Sequence, residues 1–138
     1  MNRKQRRSAS KGKSAVPATD PATGQVDAGT ALTEAFAHHQ AGRLNDAAAG
    51  YQRVLDIAPE QTIALHYLGI VSHQIGNSAE GARLIAEALR LEPSNAEAHN
   101  NLGIVLRSLG RLDDALASYE RALGLNPEYP EAHNNAGN

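Results

Sequence analysis

The 138-residue sequence contains no cysteine, no tryptophan and no apolar run of about 18 residues. Without cysteine it has neither a disulfide framework nor thiolate metal ligands nor a cysteine nucleophile. A membrane-spanning helix is not expected, and the N-terminus lacks the apolar run of a signal peptide. Because aromatic residues make up only 4% of the chain, a core must be built mainly from Ala and Leu. The length predicts a single domain, and these absences predict a cytoplasmic protein.

Lysine is absent after position 13, so the basic charge is unevenly distributed. Residues 1–13 hold six of the 13 Lys and Arg residues and no acid, whereas the remainder carries seven Arg against 15 Asp and Glu. The basic positions of this segment are Arg3, Lys4, Arg6, Arg7, Lys11 and Lys13. Residues 1–27 are also rich in Ser, Ala, Gly and Pro, which predicts a disordered basic tail and linker.

This basic tail has two interpretations. One is an electrostatic contact with nucleic acid or an anionic membrane surface, which would make binding strongly dependent on salt. The other is a solvated segment that aids solubility or docks on the acidic remainder of the chain. The basic residues have no aromatic neighbours on which bases could stack, so the solvated segment is favoured and a nucleic-acid or membrane partner is not expected.

A period of 34 residues organises the rest of the sequence. Three columns show it: Pro59, Pro93 and Pro127; Gly42, Gly76 and Gly110; Gly69, Gly103 and Gly137. Each unit contains two apolar stripes with helical spacing, which predicts a helix–turn–helix. In the third unit the capping-box pattern from Ser94 to Glu97 predicts the start of the first helix. Asn126-Pro127 predicts the end of the second helix, since the residue before proline is disfavoured in a helix.

These residues resemble the tetratricopeptide repeat (TPR) family. The third unit carries the family pattern at Leu102-Gly103, Leu106, Ala115, Tyr119, Ala122 and Pro127. The second unit departs at Gly81 and Ile85, and the first has Glu34-Ala35 in place of Leu-Gly. The resemblance implies an all-α solenoid coiled as a right-handed superhelix. We expect repeats over residues 28–61, 62–95 and 96–129, followed by a partial repeat over residues 130–138.

The partial repeat has the sequence of a first helix that stops before its partner. Solenoids usually end in a capping element with a polar outer face, and this sequence contains none. We therefore expect part of the apolar stripe of the third unit to be exposed. Two explanations remain open: the sequence is an N-terminal fragment of a longer array, or another copy or a partner covers this end.

The resemblance also implies that the first helices line a concave groove for a protein or peptide ligand. The candidate groove residues are Phe36, His66, Tyr67, Ile70, His73, Asn100, Asn101, Ile104, Arg107, Asn134 and Asn135. The asparagine amide offers a donor and an acceptor, so it suits an extended peptide backbone. The alternative is that Asn only solvates a helix face. The sequence thus predicts a non-catalytic peptide-binding scaffold.

The E-A-H-N-N-x-G stretches at residues 97–103 and 131–137 add a second hypothesis. They resemble the TPR arrays of bacterial relatives of O-GlcNAc transferase, in which Asn101 and Asn135 would match an asparagine ladder. That resemblance implies a substrate-recruiting arm of a larger transferase. Tyr67 and Thr33 interrupt such a ladder in the first two units.

Other kinds of site are not expected. The resemblance to the TPR family raises a second binding mode, the carboxylate clamp, in which Lys and Arg of the groove hold a C-terminal Glu/Asp peptide. The matching positions here hold Leu32, Phe36, Tyr67, Glu97 and Asn101, none of which is basic. The six histidines do not form an H-E-x-x-H pattern, so neither a metal nor another cofactor is expected. His66 and His73 lie seven residues apart on one helix face, and partial protonation of their imidazoles near pH 6.5 would tune the binding of a ligand there. The sequence also lacks phosphate-loop, dinucleotide and nucleophile-elbow motifs, which argues against an enzyme.

Overall fold

The computed structural model describes residues 26–137, which form seven helices. The predicted tail, apart from its last two residues, and Asn138 lie outside the described residues. The helices are α1 (Ala28–Gln40), α2 (Leu44–Ile57), α3 (Thr62–Ile75), α4 (Ser78–Leu91), α5 (Ala96–Ser108), α6 (Leu112–Leu125) and α7 (Pro130–Asn135). None of these helices is long and apolar enough to span a membrane.

The helices stack as successive pairs, which confirms the predicted all-α solenoid. The most extensive contacts lie within pairs, α1 with α2, α3 with α4 and α5 with α6, and each pair then packs on the next. The short helix α7 continues the pattern by packing on both α5 and α6. The buried side chains form two clusters along the stack, one containing Tyr51 and the other containing Tyr119.

Turn and cap residues set the helix boundaries. Gly42, Gly76 and Gly110 have φ angles of 79°, 113° and 77°, a left-handed conformation that favours glycine at the end of a helix. The predicted cap at Ser94 is wrong. Helix α5 is capped by Asn95, whose side chain accepts from the backbone N–H of Ala98 at 3.1 Å. A serine and an asparagine stand side by side here, and the asparagine lies next to the first helical residue.

Small residues let the paired helices approach closely, and each pair does so differently. A Cβ added to Gly103 would lie 2.5 Å from Cε1 of Tyr119. A Cβ on Gly69 would lie 2.6 Å from Cγ1 of Ile85 and 2.8 Å from the carbonyl oxygen of Gly81. In the first pair the glycine is on the opposite helix, since Ala35 has a Cβ and α2 presents Gly50 to it.

Helix α6 exposes apolar side chains at the end of the array, as the sequence predicted. Leu112 is 62% exposed and Leu116 is 42% exposed. The residue equivalent to Leu116 one repeat earlier is Ala82, which is buried among residues of α5 and α6. Leu116 is therefore exposed because α6 is followed only by the short helix α7 among the described residues, whereas α4 is followed by the complete pair α5 and α6.

Candidate functional site

The first helices of successive repeats lie side by side, because α5 contacts both α3 and α7. Side-chain hydrogen bonds join them across each junction. The bonds are His39 Nε2 to Gln74 Oε1 at 3.0 Å, His66 Nε2 to Asn101 Nδ2 at 3.0 Å, Tyr67 Oη to Glu97 Oε1 at 3.3 Å and Asn135 Nδ2 to Asn100 Oδ1 at 3.0 Å. The surface built from α1, α3, α5 and α7 is called the inner face below.

A cavity of about 490 Å³ opens at the α5–α7 end of the inner face. It is lined by Glu97, Asn100, Asn101, Ile104, Tyr129, Glu131, Asn134 and Asn135. Five of these were candidate groove residues from sequence: the four asparagines and Ile104. Sequence reasoning missed Tyr129 and Glu131 as groove residues, because they flank the start of the last helix, outside the columns compared.

The side chains of Asn101 and Asn135 are held in place by hydrogen bonds that they donate, so that their Oδ1 atoms stay free to accept. Asn101 donates from Nδ2 to His66, and Asn135 donates from Nδ2 to Oδ1 of Asn100. Neither bond uses the Oδ1 atom of Asn101 or of Asn135, and a carbonyl oxygen of this kind can accept two hydrogen bonds. The inner face therefore presents two oriented acceptors, spaced one repeat apart.

His66 is buried, with 2% of its surface exposed, and its ring stacks on Tyr67 with 4.8 Å between the centroids. Burial lowers the pKa of His66, and the nearby carboxylate of Glu97 opposes this shift. A neutral imidazole can accept a hydrogen bond at Nε2, which matches the donor nature of the Asn101 amide. The His66 ring therefore fixes the orientation of Asn101.

Aromatic rings fill the α1–α3 end of the inner face. Phe36 lies edge-on to Tyr67 with 4.9 Å between the ring centroids, and Tyr51 stacks on Tyr67 at 6.2 Å. The Tyr51 hydroxyl lies 3.2 Å from Nδ1 of His39. Burial raises the pKa of Tyr51 to about 12, and it also raises the pKa of Tyr67, with a further contribution from Glu97. These phenols are therefore neutral near pH 7 and act as hydrogen-bonding groups.

Six sequence candidates lie outside the residues that line the cavity. Phe36, His66 and Tyr67 belong to the aromatic end of the inner face, and the other three lie elsewhere. Ile70 is half-buried and packs on the second core cluster. The Nδ1 atom of His73 lies 2.8 Å from Oγ of Ser78, at the start of α4. The guanidinium of Arg107 lies 5.9 Å from the ring centroid of Tyr119. Each of the three thus contacts a core cluster or a second helix.

Two of the remaining histidines, His99 and His133, make structural contacts at the starts of first helices. His99 Nε2 bonds to the carbonyl oxygen of Pro93 at 2.9 Å, and His133 bonds in the same way to Pro127 at 2.7 Å. These bonds tie the preceding turn to the first helix of the next repeat. Within residues 26–137 there is no group of three or more His, Asp or Glu that could hold a metal ion.

Comparisons with known proteins agree with this architecture. The family model described as tetratricopeptide repeat matches residues 68–133. No curated protein sequence gives a significant match. A solved structure of MamA aligns with a TM-score of 0.77 at 24% identity, covering 80% of this chain and 64% of that chain.

Two further structures extend the comparison. A mutant O-GlcNAc transferase from Thermobaculum terrenum aligns with a TM-score of 0.76 at 34% identity, covering 79% of this chain but only 21% of that chain. The first TPR of Spaghetti (RPAP3), bound to the HSP90 peptide SRMEEVD, aligns with a TM-score of 0.78 at 22% identity, covering 80% and 88%. The helical pairs, the 34-residue columns and these matches together show that the chain has the tetratricopeptide repeat fold, with residues 68–133 matching the family model itself.

Proposed function

We propose that the chain is a protein-binding scaffold whose inner face holds an extended peptide segment. The observation that carries this proposal is the cavity of about 490 Å³ lined by four asparagines and Ile104. The Spaghetti domain, which has the same fold, is bound to a peptide, and this likeness supports a ligand of the same kind. In this proposal the chain itself binds and does not catalyse.

The asparagine acceptors determine how the peptide is held. Backbone N–H groups of the ligand would donate to Oδ1 of Asn101 and of Asn135, while Ile104 contacts an apolar side chain. The carboxylates of Glu97 and Glu131 line the same cavity and repel an acidic ligand. We therefore expect peptides with neutral or basic side chains here, and no tight binding of the acidic peptide SRMEEVD. The half-buried rings of Phe36 and Tyr67 extend the apolar part of the surface toward α1, while the buried His66 supports Asn101 from beneath.

A binding selection tests this proposal. A phage-displayed library of random 12-residue peptides is selected on the full chain, and the enriched peptides are titrated against N101A/N135A. We expect affinity to fall about tenfold, because two hydrogen bonds to the ligand are lost. The matched control is N45A/Q52A, which removes two exposed amide side chains from α2. Circular dichroism verifies that helicity is unchanged in both variants.

Two outcomes would refute the asparagine mechanism. One is an affinity that N101A/N135A leaves unchanged, and the other is an equal loss in the N45A/Q52A control. Groove candidates beyond the cavity can be tested in the same assay. Substitution of Ile70, His73 or Arg107 should have smaller effects than substitution of the asparagines, because those three side chains contact a core cluster or a second helix.

A second candidate function is a substrate-recruiting arm of a larger transferase. The 34% identity to the Thermobaculum terrenum O-GlcNAc transferase structure, over 79% of this chain, favours it. The coding sequence downstream of codon 138 tests it directly. A continuous reading frame that encodes a glycosyltransferase domain would support this function. A stop codon or an unrelated domain would exclude it and leave the scaffold.

A further inference from the structure

A second and larger groove lies on the opposite side of the array from the inner face. Its volume is about 650 Å³, and it runs between the second helices α4 and α6, with α5 as its floor. The floor is mainly apolar, with Leu102 and Leu106 from α5 and Leu109 at its C-terminal end, and Leu89 of α4 lies beside it. Four arginines line it: Arg83 and Arg90 from α4, Arg111 before α6, and Arg121 from α6. This feature is called the outer groove below.

The arginines of the outer groove are not a general property of the repeat. One repeat earlier, the equivalent positions hold Ala49, Asp56, Asn77 and Glu87, none of which is basic. The preceding junction therefore offers a neutral or acidic rim where this one offers four guanidinium groups. Four of the seven arginines in residues 14–138 thus lie at a single junction.

A side-chain difference also opens the outer groove. Ser118 lines it, whereas the equivalent residue one repeat earlier is Leu84, which is 5% exposed and belongs to the first core cluster. A leucine at position 118 would occupy space that the serine leaves free. The volume and the charge of the outer groove therefore differ from the repeat pattern at the same place.

The arginines are available to a ligand. Arg83, Arg90 and Arg111 pair with Glu80, Glu87 and Asp114, and all of these pairs are largely exposed. Exposed pairs of this kind contribute little, so a ligand carboxylate can replace the intramolecular partner at small cost. Arg121 makes no ion pair among residues 26–137. Among residues 26–137, Asp114 is the only acid that lines the groove itself.

We propose that the outer groove is a second binding site, and that it takes an acidic peptide segment with apolar side chains. The leucine floor accommodates the apolar side chains, and the arginine rim pairs with the carboxylates. Arginine is suited to this role because its planar guanidinium can bind a carboxylate through two parallel hydrogen bonds. Nucleic acid would use the rim but not the apolar floor. The two faces of the array thus select opposite ligand charges.

The test uses the full chain and the same random 12-residue library. Peptides that combine Asp or Glu with apolar residues should be enriched, and their affinity should fall about tenfold in R90Q/R121Q. The matched control is R43Q/R53Q, which makes the same change in net charge outside the groove. Both variants keep the basic residues 1–13, so the charge of the tail is the same in each. S118L should also weaken binding by filling the groove, while N101A/N135A should leave these peptides unaffected.

Three results would overturn the proposal. The first is that no enriched peptide responds to R90Q/R121Q. The second is an equal loss in R43Q/R53Q, which would indicate general charge attraction. The third concerns a fluorescein-labelled single-stranded DNA of 20 nucleotides. The proposal is overturned if binding of this DNA requires Arg90 and Arg121 while binding of no peptide requires them. Both substituted arginines are largely exposed, so R90Q/R121Q remains informative even if S118L disturbs folding.

Discussion

Asn101 donates from its side-chain amide to Nε2 of His66 over 3.0 Å, and the two residues are 35 positions apart. Asn135 bonds to Asn100 with the same separation. The repeat is 34 residues long, so each bond joins one column of the repeat to the adjacent column of the next unit. Columns aligned at 34 residues therefore identify similar environments, whereas the bonded partners are offset by one residue.

The buried ring of His66 predicts a pH-dependent stability. Burial lowers the pKa of His66 in the folded chain below its ordinary value of 6.5, so the unfolded state binds more protons between the two values. The free energy of unfolding is then highest above about pH 6.5 and falls as the pH drops from there to the lowered pKa. The groups around the ring are Tyr67, Asn101 and Glu97.

The matched variant for this prediction is H66N, which introduces the residue found at the equivalent Asn100. Urea denaturation at about pH 7.5 and about pH 5 should show a smaller loss of stability in H66N than in the original chain. The other five histidines are common to both proteins and cancel in the comparison. An identical loss in both would show that His66 does not contribute.

Two tyrosines in the same repeat column should respond oppositely to removal of the hydroxyl. Tyr51 bonds to His39, so Y51F should destabilise the fold by about 1 kcal/mol. The hydroxyl of Tyr119 is buried without a hydrogen-bond partner among residues 26–137, so Y119F should be neutral or stabilising by about 1 kcal/mol. Thermal and urea unfolding compare the two. A larger loss in Y119F than in Y51F would contradict the bonding found here.

Gly103 should not tolerate a methyl group. G103A places a Cβ 2.5 Å from the buried ring of Tyr119, and relieving such overpacking costs about 1–3 kcal/mol. The control is G124A in α6, where nothing lies within 4 Å of the added Cβ and helix propensity should increase stability by up to about 1 kcal/mol. Urea unfolding measures both. Similar effects of the two substitutions would mean that close helix contact at Gly103 is unimportant.

The N-cap of α5 can be tested by comparing substitutions of two neighbouring residues, Ser94 and Asn95. N95A should cost about 1 kcal/mol, because the Asn95 side chain accepts from the N–H of Ala98. S94A should change stability by less than about 0.5 kcal/mol, as expected for an exposed surface residue. If denaturant unfolding showed a larger loss of stability in S94A than in N95A, Ser94 would be the N-cap, as the capping-box pattern predicted.

The period of the sequence was enough to predict the helical pairs and to identify residues that occupy equivalent places in them. Tyr51, Ile85 and Tyr119 recur at one place in the repeat, and all three are buried. The cap at position 95 was missed because Ser94 and Asn95 are both good cap residues, and only the backbone geometry selects one.

The outer groove could not be predicted from one repeat alone. Arg83 and Arg121 are 38 residues apart and come together only when α4 and α6 stack over α5. Tyr129 and Glu131 reach the inner cavity for a related reason, since the packing of α7 on α5 brings them there. Sequence columns describe each repeat, whereas these surfaces arise between repeats.

The close helix contacts also limit how such an array can be rebuilt. Ala35 is accommodated by Gly50, Gly69 by Gly81 and Ile85, and Gly103 by the ring of Tyr119. Each solution divides the available space between the two helices of one pair, so a helix is matched to its own partner. Recombination or protein engineering should therefore succeed when it exchanges whole hairpins and fail when it exchanges single helices. The unit that can be exchanged in this chain is therefore the helix pair, or helical hairpin, and not the single helix.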